Sequence, residues 1–257
     1  VSDDNACTVT QSATIQEPAS DLMILNDFVT NANCFGESNG AINITVDGGW
    51  GAYTYLWSNS STTQNISGLN ANTYDVVVSD LYGCTVSGSF IVDEPNLLEA
   101  NFVSITDILC HGDNTGEINL GVIGGTTPYS YLWSNGEISS DLSGIVAGVY
   151  SVTASDINGC SIDSTIIVVE PDTISIDYSQ TEILCSGDQN ASLDLNVYGG
   201  LAPYSYLWDN GTTDEDIVGI GAGFYTVTIT DLNLCEFVAE IEIAEPAPLS
   251  IAGGFNV

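Results

Sequence analysis

Three of the four tryptophans, Trp57, Trp133 and Trp208, lie 76 and 75 residues apart. Each closes the same segment: Tyr53-Thr54-Tyr55-Leu56-Trp57, Tyr129-Ser130-Tyr131-Leu132-Trp133 and Tyr204-Ser205-Tyr206-Leu207-Trp208. Around Trp133 stand Gly124-Gly125, Asn135-Gly136, Tyr150-Ser151-Val152-Thr153 and Asp156-Ile157-Asn158-Gly159-Cys160, and closely similar residues recur around the other two. A chain that repeats itself this way is a tandem array, with a period too long for a solenoid and long enough for a small domain. A core of that size is modest, and a covalent staple supplements it. The dipeptides Glu17-Pro18, Glu94-Pro95, Glu170-Pro171 and Glu245-Pro246 mark the boundaries. Proline fixes φ, lacks a ladder donor and restricts the residue before it, which suits a short, stiff exit from a terminal strand. The expected division is a remnant of a preceding repeat at 1–18, modules at 19–95, 96–171 and 172–246, and the start of a following repeat at 247–257.

Within each module the apolar residues alternate with period two. Ala41-Ile42-Asn43-Ile44-Thr45-Val46, Glu117-Ile118-Asn119-Leu120-Gly121-Val122 and Ser192-Leu193-Asp194-Leu195-Asn196-Val197 read as half-buried strands. Gly, Asn and Asp clusters punctuate the strands, and no segment carries a helical stripe, so the expected class is all-β: a tandem array of small immunoglobulin-like sandwiches. The first module is expected to hold six reversing strands, near 22–29, 41–46, 53–57, 63–66, 73–78 and 87–92. Gly148 and Gly223 precede the fifth strand, where the first module has Asn72, a residue that tolerates positive φ. At the next turn Gly83 and Gly159 are matched by Leu234, which argues against a requirement for positive φ there.

The chain has 34 Asp and Glu and no Lys or Arg. Phosphate backbones and anionic lipid are recognised through basic side chains, so nucleic acid and electrostatic membrane docking are excluded as partners. Chemistry that needs a lysine or an arginine finger is excluded with them. No apolar run approaches the ~18–20 residues that span a bilayer.

Seven cysteines allow two in-phase pairings. One lies within modules, Cys34–Cys84, Cys110–Cys160 and Cys185–Cys235, each separated by 50 residues, with Cys7 left for an upstream partner. The other crosses the linkers, with separations of 27, 26 and 25 and Cys235 left over. The first is preferred, because a unit that folds by itself closes its own loop, and six reversing strands place both cysteines at one end of the sandwich. Each bridge is then expected to contribute about 3–4 kcal/mol. A zinc site is disfavoured: there is no close cysteine pair, and the single histidine, His111, has no equivalent in the other modules.

The Tyr-x-Tyr-x-Trp strand places three aromatics on one face. It is expected to be a core strand whose tryptophan is buried against the disulfide. The sharper alternative is an aromatic platform for sugar rings, for which Trp50, in the Gly-Gly loop of the first module alone, is the candidate. Asp80, Asp156 and Asp231 are candidate Ca²⁺ ligands, as are Glu37, Asp113 and Asp188 after the first cysteine of each module. Against this, an aspartate at such a position caps its own turn by accepting backbone N–H groups. No Ser-His-Asp set, catalytic Cys-His pair or repeated histidine is present, so no catalytic residues are expected.

The ordered motifs Cys-x-Gly, Gly-Gly-x-x-Pro-Tyr-x-Tyr-x-Trp, Asn-Gly, Ala-Gly-x-Tyr, Asp-x-Asn-Gly-Cys and Glu-Pro resemble the SprB-type adhesin repeat of Bacteroidota. The resemblance implies very large proteins exported by the type IX secretion system to the cell surface, acting in gliding motility, adhesion or surface filaments. A non-enzymatic, extracellular shaft that spans distance and resists force and proteolysis is the expected role, and calcium-dependent glycan-binding modules are the alternative. The expected partners are neighbouring repeats of the same chain, with other copies in a filament or cell-surface glycans as further candidates. No cofactor is required, and Ca²⁺ is the one candidate ion.

Overall fold

A computed structural model describes residues 1–250, and the expected 247–257 segment lies largely outside the described residues. The described chain divides into two compact units: Val1–Glu99 with Val122–Tyr129 and Ser155–Ile162, and Ala100–Gly121 with Ser130–Ala154 and the described residues from Asp163.

The first unit contains β1 (Met23–Thr30), β2 (Gly40–Asp47), β3 (Thr54–Trp57), β4 (Ile66–Leu69), β5 (Asn72–Ser79) and β6 (Thr85–Val92). They form two three-stranded sheets, β1-β2-β4 and β3-β5-β6. Alternation explains the packing: β2 buries Ile42 and Ile44, and β5 buries Tyr74, Val76 and Val78, while the intervening residues face outward. Trp57 fills the space between the sheets at 1% exposure, its ring centroid 5.9 Å from that of Phe90. Its indole N–H, which would be costly to bury unpaired, donates to the Thr63 carbonyl at 2.8 Å.

The same six-strand plan recurs as β7 (Glu99–Thr106), β8 (Gly116–Ile123), β9 (Ser130–Trp133), β10 (Leu142–Ile145), β11 (Gly148–Ser155) and β12 (Ser161–Val168). It recurs again as β13 (Ser175–Gln180), β14 (Ala191–Tyr198), β15 (Ser205–Trp208), β16 (Ile217–Ile220), β17 (Gly223–Thr230) and β18 (Glu236–Ile243). Their sheets are β10-β8-β7 and β12-β11-β9, then β13-β14-β16 and β15-β17-β18. Trp133 and Trp208 are buried, with indole N–H groups donated to Ser139 and Asp214 carbonyls at 2.9 and 3.1 Å. Each module is thus a small immunoglobulin-like sandwich of two antiparallel sheets, and the chain is all-β.

Strand direction departs from the sequence expectation. β1 and β4 are both antiparallel to β2, so they run the same way. β3 and β6 are both antiparallel to β5. The Ala32 N–H donates to Asp93 O at 2.9 Å, so β6 ends beside the loop that follows β1 and runs with β1. It follows that β3 and β4 run in the same direction. The chain does not reverse between them; it crosses from one sheet to the other through residues 58–65. The expected fourth strand near 63–66 is that crossing, and the strand itself begins at Ile66. One fewer reversal puts the β5–β6 hairpin, with Cys84, at the opposite end of the sandwich from Cys34. There Leu81 N–H donates to Gly51 O at 3.1 Å, joining hairpin and Gly-Gly loop.

Two backbone expectations are corrected. Asn72 and Gly148 are not among the described residues with positive φ; they start strands. Leu234 does have positive φ, +68°, like Gly83 at +84° and Gly159 at +85°, so the hairpin turn imposes that conformation on whatever residue occupies it.

Candidate functional site: the joints between modules

The loop following the first strand of each module carries the Cys-x-Gly motif. Gly36, Gly112 and Gly187 have φ of +75°, +81° and +88°, which turns their N–H groups toward the glutamate of the Glu-Pro dipeptide. Glu94 accepts from Gly36 N at 2.6 Å, Glu170 from Gly112 N at 2.7 Å and Glu245 from Gly187 N at 2.6 Å. Cys-x-Gly and Glu-Pro are therefore two halves of one contact, which fixes the module's exit beside its first cysteine. His111 adds to it locally, with Nδ1 3.4 Å from Glu170 and 3.2 Å from Pro171 O.

The far end of each module carries the Gly-Gly loop and the acidic hairpin. The segment after each Glu-Pro lies against the glycines: Gly125 N–H donates to Asn96 O at 2.8 Å and Gly200 N–H to Asp172 O at 2.8 Å. A Cβ at Gly124 would lie 1.8 Å from Leu97 O, and one at Gly199 2.1 Å from Thr173 O, so only glycine admits the incoming backbone. In the hairpin, Asp156 accepts from Asn158 N and Cys160 N at 2.9 Å each through Oδ1, and from Thr126 N at 2.8 Å through Oδ2. Asp231 does the same with Asn233, Cys235 and Leu201, and Asp80 with Tyr82, Cys84 and Trp50. These three are the buried charged side chains among the described residues. Burial pushes the Asp80 carboxyl up, and the N–H groups of Cys84, Trp50, Tyr82 and Gly83 outweigh that, holding it below its ordinary value.

Of the candidate calcium ligands, Asp80, Asp156 and Asp231 thus have both carboxylate oxygens occupied by backbone donors, the turn-capping arrangement. Glu37 and Asp113 close their own loops through backbone N–H bonds to Cys34 O and Cys110 O, and Asp188 to Cys185 O. Among the described residues, no three His, Cys, Asp or Glu side chains form a group that could hold a metal ion. Trp50 does not stack on a flat platform: it meets Tyr82 edge to face, with ring centroids 5.2 Å apart.

The cysteines overturn the expected pairing. Cys34–Cys84, Cys110–Cys160 and Cys185–Cys235 do not form, and neither does the cross-linker set. The disulfides are Cys34–Cys160 and Cys110–Cys235, with Cα atoms 5.6 and 5.5 Å apart. Each joins the first-loop cysteine of one module to the hairpin cysteine of the next. The physical reason is the missing reversal: the two cysteines of a module lie at opposite ends, beyond the ~7 Å limit for bridging. The tryptophans are buried in the sandwich interior, and Cys235 packs against the core cluster that contains Trp208. Cys7, Cys84 and Cys185 are free and exposed. The hairpin asparagine reinforces each bridge: Asn158 Nδ2 donates to Asn33 O at 3.1 Å, and Asn233 Nδ2 to Leu109 O at 3.0 Å. The place of Asn158 and Asn233 two positions before a cysteine is the signal in the sequence that points to this contact.

The SprB repeat family model matches residues 26–62, 103–137 and 178–213, three tandem positions that each run from the first strand past the buried tryptophan. No curated relative matches the chain. Among solved structures, the chain is similar to the three N-terminal domains of the bacteriophage RB49 outer capsid protein Hoc, at 16% identity, TM-score 0.42, over 85% of this chain and 94% of that one. It is also similar to three immunoglobulin domains of titin, at 12% identity, TM-score 0.43, over 91% and 100%. The N-terminal eight immunoglobulin domains of Down syndrome cell adhesion molecule match at 14% identity, TM-score 0.42, over 86% and 36%. At those three positions, one in each sandwich, the chain carries SprB repeats in tandem.

Proposed function

We propose that this chain is a structural stretch of a large extracellular adhesin or surface filament, a shaft that spans distance and carries load and is not itself a catalyst. SprB repeats belong to cell-surface proteins, and the reading extends that to a mechanical role. The observation that carries it is the joint: at both inter-module boundaries a docked linker, a disulfide and an asparagine bond repeat the same construction. Such bridges form and persist in oxidising, extracytoplasmic surroundings, which supports the location. A chain without Lys or Arg offers trypsin-like proteases no site, which suits exposure outside a cell. Antibodies against these modules should label intact, unpermeabilised cells of the source organism, and labelling only after permeabilisation would overturn the reading.

A glycan-binding role is favoured by one observation, the pairing of half-buried Trp50 with exposed Tyr82 on the first module alone. Glycan-array binding that is abolished by Trp50→Ala would assign it that role; a blank array with and without Ca²⁺ would leave the shaft reading.

A further inference from the structure

We propose that the two joints differ in what keeps them closed: the joint stapled by Cys34–Cys160 relies on its disulfide, while the joint stapled by Cys110–Cys235 is held by apolar contact as well. Reduction by a thiol then turns the first joint alone into a hinge, leaving Cys34 and Cys160 as two thiols and the reductant as its disulfide. Neither step requires that the chain carry load. The backbone framework is the same at both joints. Asn31 Oδ1 accepts from Asp93 N at 3.1 Å, and Asp107 Oδ1 from Val169 N at 3.0 Å. Ala32 N–H donates to Asp93 O and Ile108 N–H to Val169 O, at 2.9 Å each.

On this framework three side chains change together. At the first joint Asn33, Asp93, Thr126 and Asn158 line one cleft of about 460 Å³. Asn158 Nδ2 donates there to Thr126 Oγ1 at 3.2 Å and to Asn33 O at 3.1 Å. The second joint has Leu109, Val169 and Leu201 at the same three places, beside Asn233. They are 53%, 52% and 47% exposed, so about half of each is already out of water. Each trio takes two members from one module and one from the next, so it is complete only while the joint is closed. A cleft lined by carboxylate, amide and hydroxyl groups keeps its water, because closing it exchanges bonds to water for bonds of similar worth. The apolar trio gains by staying covered. Half-burying a leucine and its neighbour shifts an open–closed equilibrium by about tenfold.

Redox titration of the whole chain in glutathione buffers tests this, with Cys7, Cys84 and Cys185 changed to Ser so that whatever those three join elsewhere does not enter. After acid trapping and alkylation, peptide mapping reads each bridge separately. A joint that stays closed without its bridge keeps its two thiols at high effective concentration. Cys110–Cys235 should therefore be about tenfold more stable against glutathione than Cys34–Cys160, a difference of ~30 mV. Asn33→Leu with Asp93→Val and Thr126→Leu should raise the first bridge to the level of the second. Leu109→Asn with Val169→Asp and Leu201→Thr should lower the second by about tenfold. Phe35 and His111, which follow the first cysteine of each bridge, differ as well, so the titration is repeated in His111→Phe. Equal stabilities, a difference that vanishes in His111→Phe, or trios that leave both bridges unchanged would each overturn the proposal. Tryptophan fluorescence of the reduced chain completes the test. Trp57, Trp133 and Trp208 should stay buried, and a shift to a solvent-exposed maximum would mean that the bridges hold the sandwiches and not the joints, which overturns it too.

Discussion

The hairpin ends of the first and second modules start from the same framework and finish differently. Asp80 and Asp156 each gather three backbone N–H groups, in the same positions and at similar distances. Around that framework, the second module presents Thr126 and Asn158, and the first presents Trp50 and Tyr82 at the same places. The interior and turn are what the fold needs and recur in every module. The outward side chains are what a joint needs, and the first module replaces the amide donor with a phenol. A repeat can therefore keep its sandwich and turn while the side chains on its end face change.

The largest effect should come from the interior. Trp133→Ala removes the largest fully buried side chain of the second module and should cost about 3–5 kcal/mol, by lost burial and an unfilled cavity. Chemical denaturation should show one module's amplitude shifted to lower denaturant with the others in place, as nearest-neighbour arrays behave. A uniform shift of the whole transition would mean that the joints couple the modules into one unit. Asp156→Ala should come next, at about 1–3 kcal/mol, because it leaves the partly buried N–H groups of Thr126, Asn158 and Cys160 without their acceptor. Its signature is local: after reductive unfolding and reoxidation, peptide mapping should find less Cys34–Cys160 and undiminished Cys110–Cys235. Equal loss of both bridges would show that the hairpin does not preset its own joint.

These differences also explain what could be read from the sequence. Period-two alternation gave the strands, because a sandwich strand has one wet and one dry face and the residues record it. The buried tryptophans followed from the same periodicity. The joints were not legible, for two physical reasons. In a periodic chain every in-phase cysteine pairing is equally regular, so the spacing of 50 carried no more information than the realised separations of 126 and 125. The choice then hung on strand direction, and four-residue strands such as β3 and β4 carry too little pattern to show that the chain crosses between sheets instead of turning back. The Glu94–Gly36 contact, between two motifs that each recur once per module, would have placed the first cysteine at the module's exit.

A smaller effect should appear where the third module departs from the other two. Leu234 holds φ at +68° in a turn that Gly83 and Gly159 occupy elsewhere. A branched side chain in that region is strained, and Leu234 is 79% exposed, so it gains little burial in return. Leu234→Gly should stabilise the third module by about 1 kcal/mol, seen as a higher melting midpoint for that module alone. An unchanged or lowered midpoint would show that Leu234 makes a contact outweighing its backbone strain.

The smallest effect should be confined to acid and to the first module. The Asp80 carboxyl is held below its ordinary value of 3.8, so its ionised form is favoured by folding. The sign follows: the contribution is complete above the ordinary carboxylate value and is lost as pH falls through the lowered one, when the folded state too must take up the proton. Asp80→Asn keeps one acceptor oxygen and carries no charge at any pH. Wild type should therefore melt higher than Asp80→Asn above about pH 5, and the gap should narrow steadily below about pH 4. The comparison within one background matters because both proteins share the other 33 acidic residues, whose contributions cancel in the difference. A gap that stays constant down to about pH 2.5 would mean that Asp80 acts only as a neutral hydrogen-bond acceptor, and that its charge contributes nothing to this end of the module.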